Sequence, residues 1–76
     1  MSYWTVKTAA GTWWIRPLDG RWRVGLNDED LGSYHKPEAA LDELVRGHTF
    51  RPRNVDPRKE GIPHSFSEWT LVRLPN

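Results

Sequence analysis

Seventy-six residues with 37% apolar content are enough for one small hydrophobic core and exclude two separate ones. The chain has no cysteine, which rules out a disulfide framework and fits a cytoplasmic setting better than a secreted one. No apolar run is long enough to span a membrane, the start lacks the basic-then-apolar layout of a signal peptide, and a net charge of +1 removes the simplest argument for nucleic acid or an anionic membrane surface.

The first third of the chain predicts a β-meander over residues 3–34. Tyr3 to Lys7 and Thr12 to Arg16 are rich in aromatic and β-branched residues, and Arg21 to Leu26 alternates polar with apolar. Ala9-Ala10-Gly11 and Leu18-Asp19-Gly20 fall between these runs, and Asp-Gly tolerates the positive φ of a tight hairpin. Pro17, with no N–H to give to a ladder, is expected to end its strand. An acidic turn, Asn27 to Asp30, precedes a short fourth run, Leu31 to Tyr34.

A helix is expected over 37–46. Pro37 suits its first position, Glu38 complements its N-terminus and Gly47 is placed to stop it. Ala40, Leu41, Leu44 and Val45 make one apolar stripe, with Asp42, Glu43 and Arg46 on the other side. Residues 48–76 then read as an extension that wraps the domain. Pro52, Pro57, Gly61 and Pro63 break it, yet Phe50, Ile62, Phe66 and Trp69 are too apolar for a solvated linker. Ser65 to Glu68 has capping-box spacing for one helical turn, and Thr70 to Leu74 has the composition of a last strand whose partner is not legible.

Charge is polarised beneath its near-neutral total. Residues 1–26 are basic, residues 27–45 acidic and residues 46–59 basic again. Such blocks steer a charged partner to one face or simply keep a small domain in solution.

Five tryptophans in so short a chain are the feature with functional content. Trp13 and Trp14 are adjacent, so in a strand they point to opposite faces. Trp22, Val24 and Leu26 share one face, and matching apolar faces places Trp13 and Ile15 with them. Trp14, Arg16, Arg21 and Arg23 then occupy the second face, with Tyr34 expected at its margin. Aromatic planes among arginines suit stacking and phosphate contacts. Two arrangements stay open: the C-terminal extension covers that face, or leaves it available to a partner. Trp69 is expected to anchor the extension, and Trp4 has no assigned place.

Enzymatic chemistry finds little support. His35, His48 and His64 lack the paired spacing of a zinc site, and Ser33 and Ser65 fit turn or capping roles better than nucleophilic ones. Asp28-Glu29-Asp30 lacks the spacing and central glycine of a calcium loop. No glycine-rich phosphate loop is present, and neither a metal nor another cofactor is implied.

The stretch from Trp22 to Leu26, a turn, Leu31-Gly32-Ser33-Tyr34 and a Pro37-Glu38-Ala39-Ala40 helix resembles the sheet-then-helix core of the AP2/ERF DNA-binding domain and of integrase arm-binding domains. The likeness covers residues 12–46. It implies a sheet that enters the major groove, with Trp14, Arg16, Arg21 and Arg23 on the equivalent strands. The present strands carry fewer basic residues than that family shows, and residues 48–76 have no counterpart there. A second likeness spans more of the chain. Gly32, Tyr34, Pro37, Glu38, Ala40, Gly47, Thr49, Pro63, Ser67 and Trp69 are similar to the pattern of a group of small uncharacterised bacterial proteins. That similarity implies a shared fold with the C-terminal segment inside it, and no activity.

The expectation is therefore one α+β domain over 1–76: an antiparallel sheet of three or four strands, one helix across it and an ordered irregular extension. The expected function is a non-enzymatic binding module for a protein or small ligand through Trp14, Arg16, Arg21 and Arg23. Nucleic-acid binding at the same face, helped by Arg51, Arg53, Arg58 and Lys59, is the alternative.

Overall fold

A computed structural model describes residues 2–49 and 55–73. Strands β1 (Ser2–Thr8), β2 (Gly11–Leu18), β3 (Arg21–Leu26) and β4 (Glu29–Tyr34) form the meander, followed by helix α1 (Pro37–Val45). Short 3₁₀ turns at Pro57–Lys59 and Phe66–Glu68 lead to β5 (Thr70–Arg73). The sheet has five strands in the order β4-β3-β2-β1-β5, every neighbouring pair antiparallel. The α+β architecture is as expected, and the strand count exceeds the expected three or four because β5 returns to pair with β1.

Local chemistry accounts for the turns. Asp19 and Gly20 both have positive φ, 53° and 76°, the two-residue geometry whose twist matches that of the flanking strands. Pro17 does not end β2, contrary to expectation; it pairs with Trp22 inside the strand. The ladder with β1 runs only as far as the pair Trp4–Ile15. Pro17 therefore sits where β2 is bonded on one side alone, and its missing N–H points away from β3 because ladder bonds alternate between sides.

A bulge between β3 and β4 sets the faces of the last meander strand. Val24 pairs with Gly32 and Gly25 with Asp30, so Leu31 is the extra residue and joins the core, 1% exposed. Asp30 and Ser33 are left on the far face. Tyr34 pairs with Trp22 and packs against the core, which corrects the expectation that it borders the Trp14 face. Burial foremost, and then the charge of Glu43, raise the Tyr34 hydroxyl above its ordinary pKa.

Helix α1 starts at Pro37 with no side-chain cap from Lys36, and its buried stripe is Ala40, Leu41 and Leu44. A nine-residue helix is marginal alone, so packing on β2, β3 and β4 holds it. The core joins that stripe to Trp13, Ile15, Val24, Leu26 and Leu31 of the sheet, and to Ile62 and Trp69 of the extension.

Before it enters the sheet as β5, the described part of the extension stays on the helix side. Phe66 stacks on Trp4 with centroids 4.3 Å apart, Trp4 meets Trp22 at 5.6 Å, and Trp69 meets the edge of Phe66 at 5.9 Å. Trp4, unplaced by sequence, is the centre of this cluster, and the Trp69 indole donates to the Pro63 carbonyl at 2.9 Å. Ser65 caps the second 3₁₀ turn by accepting from the Ser67 N–H. A polar clasp completes the attachment. The Glu60 carboxylate accepts from the Thr8 hydroxyl at 2.8 Å and the Ala10 N–H at 3.0 Å, while Thr8 accepts from the Trp13 indole at 2.8 Å. Among the described residues, therefore, the extension does not cover the face that carries Trp14. Phe50 lies outside the described residues. None of the described helices is long and apolar enough to cross a membrane.

Candidate binding face of the sheet

The register assembles the far face from alternate residues of each strand. Thr5 pairs with Trp14, Trp14 with Gly25, and Gly25 with Asp30, forming a row across four strands. The next row brings Arg16 opposite Arg23 and Arg23 opposite Ser33. Cross-strand partners share a face, so Trp14, Arg16, Arg21 and Arg23 are together on one surface, as the alternation of β2 and β3 implies.

Trp14 lies along this surface instead of standing up from it. A Cβ at Gly25 would collide with its ring and with the Glu29 carbonyl, so the missing side chain is the seat for the indole. The indole N–H donates to the Asn27 carbonyl at 2.8 Å, which fixes the ring against the β3–β4 turn. The Arg16 guanidinium sits over the ring, 4.5 Å from its centroid, in cation–π contact.

The other two arginines are tethered. Arg21 donates through Nε to the Ser33 hydroxyl at 2.6 Å and through Nη2 to its carbonyl at 3.3 Å. Arg23 donates through Nε to the Asp30 carboxylate, whose second oxygen accepts from the Gly32 N–H at 3.0 Å. Partial burial pushes the Asp30 pKa up, but those two hydrogen bonds and the charges of Arg23 and Arg16 outweigh it and hold the carboxyl below its ordinary value. Arg16 has no ion pair among the described residues. Facing Arg23 directly, it leaves two like charges opposed across the ladder, with the one outward carboxylate, Asp30, on the far side of Arg23 in β4, an arrangement that costs stability when unrelieved.

Beside Trp14 runs a shallow groove of about 490 Å³, bordered by Tyr3, Thr5, Thr12, Trp14, Arg16 and Leu18. Its size is within the range of small-ligand sites. Tyr3, Leu18 and the seat at Gly25 were not singled out from sequence. The signal for Gly25 was present: it stands two residues beyond Arg23 on the outward register, where a side chain was to be expected.

Of the basic loop, Arg51 and Arg53 lie outside the described residues. Arg58 belongs elsewhere: it donates to the Asp56 carboxylate at 3.2 and 2.9 Å and lies against Gly47 at the end of α1, on the helix side.

The remaining candidates for chemistry do not converge. His64 borders a second groove with Glu38, Asp42 and Phe66, whereas His48 pairs with Glu43 through Nδ1 at 3.0 Å. Ser33 is occupied by Arg21 and Ser65 by its turn. Among the described residues no group of three or more His, Asp or Glu is placed to hold a metal ion. Compared with family models, curated proteins and solved structures, the chain matches none.

Proposed function

We propose that this protein is a non-enzymatic binding module that works through the far face of its sheet, around Trp14 and Arg16. The observation that carries this reading is the placement of the extension. The described apolar anchors Ile62, Phe66 and Trp69 are on the helix side, and β5 only extends the far face beside β1 with Thr70 and Val72, so the Trp14–Arg16 stack, whose guanidinium has no ion pair among the described residues, and the groove beside it stay open. A partner of net negative charge suits this face, because Arg16, Arg21 and Arg23 are opposed there by Asp30 alone among the outward residues of the described strands. A protein segment, a small molecule and a nucleic acid are the classes of partner that answer to this description. The lack of cysteine supports a cytoplasmic setting.

Fluorescence quenching tests the reading directly. Iodide, drawn to the arginines, is expected to quench a share of the emission that caesium leaves untouched, and Trp14→Phe is expected to remove that share. If the iodide-accessible share persists in Trp14→Phe, the face is not what the quencher reaches and the proposal fails.

A further inference from the structure

Resting on that reading, we infer that the occupant of the face is single-stranded nucleic acid, a base held against the Trp14–Arg16 stack and phosphates held on either side. Three features of the face converge on this ligand.

The first is the posture of the side chains. Trp14 is pinned to the Asn27 carbonyl, Arg21 to Ser33 and Arg23 to Asp30, so all three are laid along the sheet, and the Arg16 guanidinium over the Trp14 ring is the outermost plane of the stack. Reading a duplex in its major groove requires side-chain ends that reach base edges. A plane meets the face of an unstacked base, which is the contact single strands supply.

The second is the distribution of charge. Lys7 is outward at one end of β1 and pairs with Thr12; Arg16, Arg21 and Arg23 are at the other end of the face. Tyr3 and Lys7 are separated by about 13 Å along the strand at 3.3 Å per residue, with Thr5 and the Trp14 ring between. A ligand with one anion satisfies one end of this surface. A strand, whose phosphates recur along its length on both sides of a stacked base, satisfies both.

The third is the opposed pair Arg16 and Arg23. Asp30 is already shared with the Gly32 N–H, and Arg16 has no ion pair among the described residues. A phosphate between the two guanidiniums relieves their repulsion, as bidentate donors do for this anion.

The test is a titration of the isotopically labelled protein with a short oligothymidylate, the same oligomer annealed to its complement, and an acidic peptide, each at two salt concentrations. The Trp14 indole and the Arg16 side-chain signals are expected to move with the single strand, with affinity falling steeply in salt. Arg16→Gln is expected to weaken binding roughly tenfold and to make the salt slope shallower by about 0.7, the share of one phosphate contact on a single strand. Asp30→Asn, which removes the opposing charge, is expected to tighten it. Tighter binding of the duplex, or an unchanged slope in Arg16→Gln, overturns the inference. If the peptide alone shifts Trp14, the single-strand assignment falls and the binding module stands; if no probe shifts it at low salt, both fall.

Discussion

The two faces of this sheet are built from the same strands by the same alternation, yet they have opposite constitutions. On the helix side Trp13, Ile15 and Val24 are fully buried and meet α1, Ile62 and Trp69 in apolar contact. On the far side Trp14, one residue along, has a glycine for a seat, a carbonyl for its N–H and an arginine over its ring. Adjacent tryptophans thus do different work because neighbours in a strand cannot share a face. One face is stabilised by exclusion of water; the other is kept in shape by hydrogen bonds and stacked planes that leave it wet.

Truncating the two rings separates these roles most strongly. Trp13→Ala deletes a fully buried indole together with its hydrogen bond to Thr8, so a loss of about 3–5 kcal/mol is expected, enough to unfold a domain of this size. Trp14→Ala is expected to cost only about 1 kcal/mol. Urea denaturation of the two variants measures the contrast. Equal losses would mean that the far face is a second core.

A smaller effect is expected at the seat of Trp14. Gly25→Ala pushes the new methyl into the indole and the Glu29 carbonyl, and overpacking of this kind costs about 1–3 kcal/mol. The same substitution made in Trp14→Ala keeps the backbone collision and loses the ring collision, so its cost should shrink. A double-mutant cycle reads the difference; strict additivity would show that the ring does not rest on Gly25.

The clasp at Glu60 ties the extension to the helix side. Glu60→Ala leaves the Thr8 hydroxyl without its acceptor and the Ala10 N–H with only its longer bond to the Thr8 hydroxyl oxygen, at 3.3 Å, for an expected loss of about 1–2 kcal/mol. Amide exchange at Ala10 should quicken in the variant. Unchanged exchange there would detach the clasp from the stability of the β1–β2 hairpin.

How much of this was legible in the sequence follows the range of the interactions. Periodicity two in Arg21 to Leu26 and the adjacency of Trp13 and Trp14 are local facts, and they locate the core face, the far face and the four residues Trp14, Arg16, Arg21 and Arg23. Asp19-Gly20 and Pro37 announce a turn and a helix start for equally local reasons. Pairing of β5 with β1 joins residues nearly a chain length apart, and four residues carry no mark of their partner. Strict alternation from Leu31 puts Tyr34 on the far face, but the bulge at Leu31 resets the alternation of β4, and one inserted residue reverses every position beyond it. The Trp4–Phe66 stack and the Glu60 clasp are likewise long-range. The open far face therefore follows from the path of the tail, which period and composition do not specify.

The smallest expected effect belongs to Asp30, and its value lies in its pH dependence. The carboxyl sits below its ordinary pKa in the folded protein because Arg23 and the Gly32 N–H hold the charged form against the opposing effect of partial burial. A group depressed in this way stabilises the fold above the unfolded value of about 3.9, and that contribution is lost as pH falls through the folded value. Asp30→Asn is thus expected to lower the melting temperature slightly at neutral pH and to match the parent protein near pH 2. Because the Arg23 and Asp30 side chains are 35% and 39% exposed, solvent screening keeps the neutral-pH gap small. Thermal scans of both proteins across this range check the expectation. A gap that survives in strong acid would assign the role of Asp30 to its hydrogen bond with the bulge, and the far face would then owe its shape to backbone geometry instead of balanced charge.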